Sequence, residues 1–284
     1  MINPVTRDEV LSRIKELPAF PRVVTDVMAA LDDPDASLNL LAGLIQHDPV
    51  LTGRVLALAS NAAAHTRRSA VVRDVYTAVS FIGIVRVREM VLLMKVGGFV
   101  NGMKVPGCAT AFWQHCVAVG VCGEELAIHA DLRSSFDAAL IAGLLHDIGQ
   151  LWLFRFRSEA FQSVWNDLSL HAHDISTVER QRFGVDHATI GAWLTKAWKM
   201  DPGITAAVAH HHTPETHPTD KLVAITHVSE VLSDALDLTG RREARVTRIS
   251  QSACELLKLV WDARVHPLFG RMEGRGRYAA SYFE

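Results

Sequence analysis

The sequence predicts an all-α protein built from two packed helical subdomains, and three observations carry that prediction. Apolar residues recur at i, i+3, i+4 and i+7 along almost the whole 284-residue chain, the period of an amphipathic helix. The apolar runs open at Ser, Thr, Asp or Pro, where helices are capped or begin. No stretch alternates apolar and polar residues strongly enough for a strand, and no motif repeats at a fixed interval of roughly 20 to 50 residues.

Val10, Leu11, Ile14 and Leu17 form the first stripe, behind a Thr6-x-x-Glu9 capping box. The next helix starts at Pro21, carries Val24, Met28 and Leu31 on one face, and stops at Asp32, Asp33 and Pro34. A third runs from Ser37 through Leu41, Leu44 and Ile45. Asp48-Pro49 opens a fourth with Val50, Leu51, Val55 and Leu58, and Asp74 opens a fifth with Val75, Val79 and Ile82. Gly83 separates that helix from one expected to end near Met94.

Residues 97–108, GGFVNGMKVPGC, hold four glycines and a proline, a composition that favours a connection and marks the subdomain boundary. The second half resumes with Phe112, His115, Cys116, Val119 and Leu126, followed by one helix carrying Phe136, Leu140, Gly143, Leu144 and Asp147. Further starts are legible at a Ser176-x-x-Glu179 capping box, at Asp186 before His187, and at Asp201-Pro202. Two more helices carry Leu222, Ile225, Ser229, Leu232 and Leu236, then Val246, Ile249, Leu256, Leu257 and Val260; from Phe269 the chain reads as irregular. The expected division is 1–105, 106–240, and a C-terminal helix with a basic tail over 241–284.

A hydrophobic content of 49% suffices for a continuous core and excludes a disordered chain. The balance of 29 basic and 31 acidic residues demands no polyanionic partner. Nine Arg and Lys against four acids in 241–277 do make that stretch basic, but no nucleic-acid motif accompanies them, so a solvated helix face is expected and nucleic acid is not. Cys108, Cys116, Cys122 and Cys254 form no CxxC pair and read as reduced, buried thiols. The N-terminus lacks the basic-then-apolar plan of a signal peptide, and no apolar run approaches the roughly 18 residues of a membrane span. The expectation is a cytoplasmic protein with no membrane partner.

Chemistry concentrates in the second half: His115, then His146-Asp147 within LLHDIGQL, then His187, then His210, His211 and His212. A lone buried histidine is ordinarily a core residue with its ring nitrogens satisfied by carbonyls. Several, each on its own helix, can converge on one interior point, and imidazole with carboxylate suits zinc, iron or manganese. A metal so held would activate water and polarise a phosphoryl oxygen. A substrate phosphate also needs a cation, and the residue after HDIG is Gln150, where a lysine would supply charge.

These residues resemble the HDOD family (HD-related output domain), bacterial signalling relatives of HD-GYP phosphodiesterases. The N-terminal part is carried by LPAFPRVV, LAGLIQHDPVLTGRVLALASNAA and VYTAVSFIGIVRVREMVL; the second half, an HD-superfamily-like bundle, by FWQHC, AGLLHDIGQL, FGVDHATIGAWLTKAW and AVAHHHTPE. The resemblance implies a ligand set of His115, His146, Asp147, His187, His211 and His212, with His210 at a non-ligand position. Where HD enzymes carry a distal aspartate, the best match is Glu230, and no glycine-tyrosine-proline signature follows the histidines.

The resemblance thus implies a regulatory output module that acts by binding signalling proteins or a small-molecule or nucleotide ligand, without catalysis. A metal-dependent phosphohydrolase using the same residues is the alternative.

Overall fold

The computed structural model describes residues 3–29, 41–65, 74–103, 109–132, 135–166, 175–238 and 248–280, and among them no strand occurs. None of the described helices is long and apolar enough to cross a membrane. The chain divides into two compact units, one of residues 21–96 and one of residues 1–20 with 97–284.

The smaller unit contains α2 (Arg22–Ala29), α3 (residues 41–46), α4 (Pro49–His65), α5 (Val75–Ile82) and the first part of α6 (Ile84–Gly102). Its core is aliphatic, with Val24, Leu41, Ile45, Val55, Val79 and Leu92 almost wholly buried. Asp48 caps α4 by accepting the backbone N–H groups of Val50 and Leu51, while its other oxygen takes Lys95 Nζ at 2.7 Å. Gly83 at φ +94 separates α5 from α6 as expected, because only glycine enters that region cheaply. The helix then runs past Met94 and through Gly97 and Gly98. Glycine weakens a helix by only about 1 kcal/mol, which the burial of Val96, Phe99 and Val100 offsets. The predicted stops at Asp32 to Pro34 and the start at Ser37 lie outside the described residues.

The larger unit takes in α1 (Arg7–Ser12), whose cap is Thr6 as predicted, with its hydroxyl accepting the Glu9 N–H. It also holds α7 (Ala109–His129), α8 (Phe136–Leu145), α9 (Ile148–Phe156), α10 (Ser158–Asn166), α11 (Ile175–Phe183), α12 (His187–Ala197), α13 (Pro202–His210), α14 (Lys221–Ala235), α15 (Gln251–Leu256) and α16 (His266–Ala280). Helix α7 is central and packs against α8, α14 and α16. Asp186, Asp201 and Asp220 cap α12, α13 and α14 through their side chains.

Three expectations are corrected in this unit. The tail beyond Phe269 is helical: glycines at 270, 274 and 276 obscure its period, but Leu268, Met272 and Ala279 bury one stripe. The helix read around Val246 to Val260 is only α15, opened by the Ser250 hydroxyl and closed before Lys258 at φ +57; Val246 lies outside the described residues. Ser176 is no cap, since α11 already includes Ile175 and the Glu179 side chain turns away to other work.

Candidate metal centre

Glycines set the distances that build the centre. A Cβ on Gly143 would sit 2.5 Å from Gly120 Cα, so α8 crosses α7 backbone against backbone and brings the end of α8 beside His115. A Cβ on Gly149 would sit 2.0 Å from the His187 carbonyl oxygen, so the start of α9 lies directly on the start of α12. The single helix expected through Asp147 is instead broken: α8 ends at Leu145, α9 begins at Ile148, and Asp147 adopts φ −97, ψ 11 between them. That break lets two consecutive residues face one point, with His146 Nε2 only 3.4 Å from Asp147 Oδ2.

Asp147 divides its two oxygens between two groups of ligand atoms. Oδ1 lies 3.1 Å from His187 Nε2 and 3.9 Å from His211 Nε2. His187 Nε2 in turn lies 3.3 Å from His211 Nε2 and 3.0 Å from His212 Nε2. Oδ2 lies 3.7 Å from His115 Nε2, which is 3.2 Å from His146 Nε2. Ligand atoms of Asp147, His187, His211 and His212 all fall within 4.8 Å of one another, and so do those of His115, His146 and Glu230. All seven sequence-predicted residues are therefore brought together, and all are buried except His212, which is half-buried. His210 stays apart and stacks on His217, ring centres 3.8 Å apart.

The outer nitrogens are already committed. His146 Nδ1–H donates to the Gly143 carbonyl at 2.7 Å and His211 Nδ1–H to the Val208 carbonyl at 2.8 Å. His187 Nδ1–H donates to Glu179 Oε2 at 2.5 Å, and the same oxygen accepts the His187 backbone N–H. Each ring thus directs Nε2 inward, the arrangement that orients metal-binding imidazoles.

Charge inside the cluster is self-balancing. Burial disfavours a charge on His187, but the flanking Glu179 and Asp147 carboxylates overcome it and lift its pKa well above the ordinary value. His146 is likewise raised against its burial by Asp147. Burial opposes ionisation of Asp147, yet these two imidazoles hold its carboxyl well below the usual range. Burial, with the neighbouring imidazoles, pushes His211 and His212 well down. Burial lifts Glu230 to about 8.

Sequence reasoning missed three supporting residues. Glu179 was read as half of a capping box; its link to His187 crosses the turn at Gly184, φ +76, which no periodicity reveals. Asp234 Oδ1 stands 3.7 Å from His115 Nδ1, one helical turn beyond Glu230. His227 bonds the His211 carbonyl.

The donor set fits a transition metal. A single proton on His187 Nε2 faces three acceptors (Asp147 Oδ1 and the Nε2 atoms of His211 and His212) at 3.0 to 3.3 Å, and one N–H cannot satisfy three acceptors well. Asp147 Oδ1, buried, accepts no hydrogen bond of good geometry. Nitrogen and oxygen ligands converging in this way match zinc, iron or manganese.

Residues 17–214 match the HDOD domain model. An uncharacterized protein of Treponema pallidum (strain Nichols) is 25% identical over 214 residues, covering 72% of this chain but 39% of that protein, so this chain corresponds to about two-fifths of that relative's length. An HDOD domain protein of unknown function from Geobacter sulfurreducens superposes with a TM-score of 0.71 at 23% identity, covering 97% of this chain and 91% of its own. A protein of Shewanella amazonensis SB2B whose name proposes a phosphohydrolase gives 0.71 at 24%, covering 97% and 98%. One from Marinobacter aquaeolei VT8 whose name proposes signal transduction gives 0.70 at 24%, covering 99% and 62%. At these identities the structures establish the fold alone. The family model spans well over half of the sequence, and the chain belongs to the HDOD family.

Proposed function

We propose that this protein is a signal-transduction module whose buried His/Asp centre holds a divalent transition metal, and whose output is binding to a signalling protein or small ligand. The carrying observation is the convergence of ligand atoms of Asp147, His187, His211 and His212 within 4.8 Å of one another, with the outer ring nitrogens of His187 and His211 already engaged. Desolvation makes the site more suited to holding an ion than to exchanging it: Asp147 and His187 are 4% and 0% exposed. The position after HDIG is the neutral Gln150, itself buried, where phosphate chemistry would profit from a cation.

One observation favours the second reading, a phosphohydrolase: the two oxygens of Asp147 face separate ligand groups, as in sites where a carboxylate bridges two metals. A bound metal would supply an activated water and a polarised phosphoryl oxygen. The chain's own residues would hold it through six side chains and Glu230, with Glu179 and Asp234 orienting His187 and His115.

Elemental analysis of purified protein by mass spectrometry, against a His146→Ala, Asp147→Ala double variant, tests the centre. The expected result is about one or two metals per chain, absent from the variant. Metal far below one per chain after reconstitution under reducing conditions would sink both readings of the centre. Turnover of phosphate monoesters or diesters by the loaded protein, abolished in Asp147→Ala, would replace the binding module by the hydrolase.

A further inference from the structure

Residues 248–280 lie beyond the matched region 17–214, yet both ends of the segment are anchored to elements that carry ligands of the centre. At the near end stands His227 of α14, 7% exposed. Its Nδ1–H donates to the His211 carbonyl at 2.7 Å, and its Nε2 accepts the Ser250 backbone N–H at 3.0 Å. These two bonds use both ring nitrogens and define one neutral tautomer. Ser250 is the N-cap of α15, so the same ring touches the ligand turn and the cap of the appended helix. Beside it, Arg248 pairs with Glu215, in the 3-10 turn that follows His212, at 2.8 Å.

At the far end, α16 is pinned to α7, the helix that bears His115. Arg271 Nε reaches Glu125 at 2.7 Å, and Arg275 pairs with both Glu125 and Glu124. Glu124 and Glu125 are 0% and 3% exposed, so these cations of α16 balance buried carboxylates of α7. The C-terminal segment is therefore not an independent appendage: it closes on the His211–His212 turn at one end and on the His115 helix at the other.

We propose that His227 is a positioning residue that joins the His211–His212 ligand turn to the C-terminal segment, so that metal in the centre is read out as order in α15. The inference rests on the metal-holding reading above. Metal fixing the His211 ring fixes the carbonyl that His227 bonds, and the other face of the same imidazole then holds the α15 cap. Linkage makes the effect reciprocal: whatever loosens α15 weakens metal binding by the same factor. A partner acting on the C-terminal segment would thereby sense, or control, the occupancy of the centre.

The test uses the full chain stripped with a chelator and reloaded with Mn²⁺ or Zn²⁺, with metal content and amide hydrogen exchange measured on the same samples. His227→Asn keeps an amide N–H near the Nδ1 position and loses the Ser250 bond. His227→Gln keeps a carbonyl near the Nε2 position and loses the His211 bond. Loading is expected to slow exchange across α15 by about tenfold or more in the parent chain, and in neither variant. By the same reciprocity both variants are expected to bind metal roughly tenfold more weakly than the parent. Metal-dependent protection of α15 persisting in both variants would overturn the proposal, as would stoichiometric metal uptake by the parent with no change in α15. Failure of the parent to take up metal would instead remove the reading beneath it, and this outcome is distinguished by the metal content itself.

Discussion

The two halves of the centre share Asp147 but differ in how they hold protons. Around Oδ1 the remaining ligands are imidazoles: against its burial, Glu179 and Asp147 hold His187 well above its ordinary pKa, while burial pushes His211 and His212 well down, towards the neutral form that binds metal. Around Oδ2 the set includes Glu230, whose pKa burial lifts to about 8, so at neutral pH it is largely protonated and a poor ligand. Desolvation always penalises the charged form. The same burial therefore prepares an imidazole for metal and unprepares a carboxylate. The His187 half should fill first and the His146 half second, and the following substitutions break or sharpen that contrast.

The largest effect is expected from Gly149→Ala, which removes what both halves share. Its new Cβ would lie 2.0 Å from the His187 carbonyl, so α9 and α12 must separate and Asp147 loses His187. Overpacking of this kind costs about 1–3 kcal/mol, or more where backbone is struck. Urea unfolding should register that loss, and elemental analysis should find both halves depleted; a stable variant with full metal content would mean that the close approach does not set the geometry.

Next come the single-ligand variants, which should not be equivalent. His146→Ala is expected to retain about one metal per chain, held by the other half, whereas His187→Ala should retain well under one, since two-metal sites assemble on their tighter member. Equal losses from the two would erase the distinction between the halves. Smaller again is Glu179→Gln, which leaves every direct ligand in place and alters the shared partner of His187 Nδ1 and of the His187 backbone N–H. Loss of such outer partners weakens metal affinity about 10- to 100-fold, and competition with a chromogenic chelator should place the loss in the first half alone.

The smallest effect is in pH dependence. Filling the first half must displace the proton that Glu179 and Asp147 stabilise on His187. Filling the second must displace the corresponding proton of His146 and, below about pH 8, that of Glu230 as well. Because metal competes with protons, both affinities rise with pH, and the second should rise more steeply by about tenfold per pH unit until about pH 8. Glu230→Gln should abolish that excess slope; parallel profiles in the parent chain would show that Glu230 takes no part.

Much of the fold was legible because capping and amphipathic period are local. Thr6, Asp48, Asp74, Asp186 and Asp201 open helices where their side chains suggest. Reading failed where glycine interrupts the period without breaking the helix, at Gly97, Gly98 and along α16. It also failed where a ligand pair interrupts a helix whose period continues, at His146–Asp147. The basic character of the C-terminal stretch was equally visible, but not that Arg271 and Arg275 face buried carboxylates of α7.

By itself, then, the sequence determined the helical class, which follows from residue type and near-neighbour spacing, and its resemblance to the HDOD family implied the roster of seven candidate ligands. Only the tertiary structure decided that Asp147 offers one oxygen to each of two groups, that Glu179 rather than a carbonyl orients His187, and that His227 ties His211 to Ser250. Most of those relations join residues 8 to 64 positions apart, through helix crossings whose closeness depends on Gly120, Gly143 and Gly149. A glycine announces that something can come near; the packing of the whole chain determines what does.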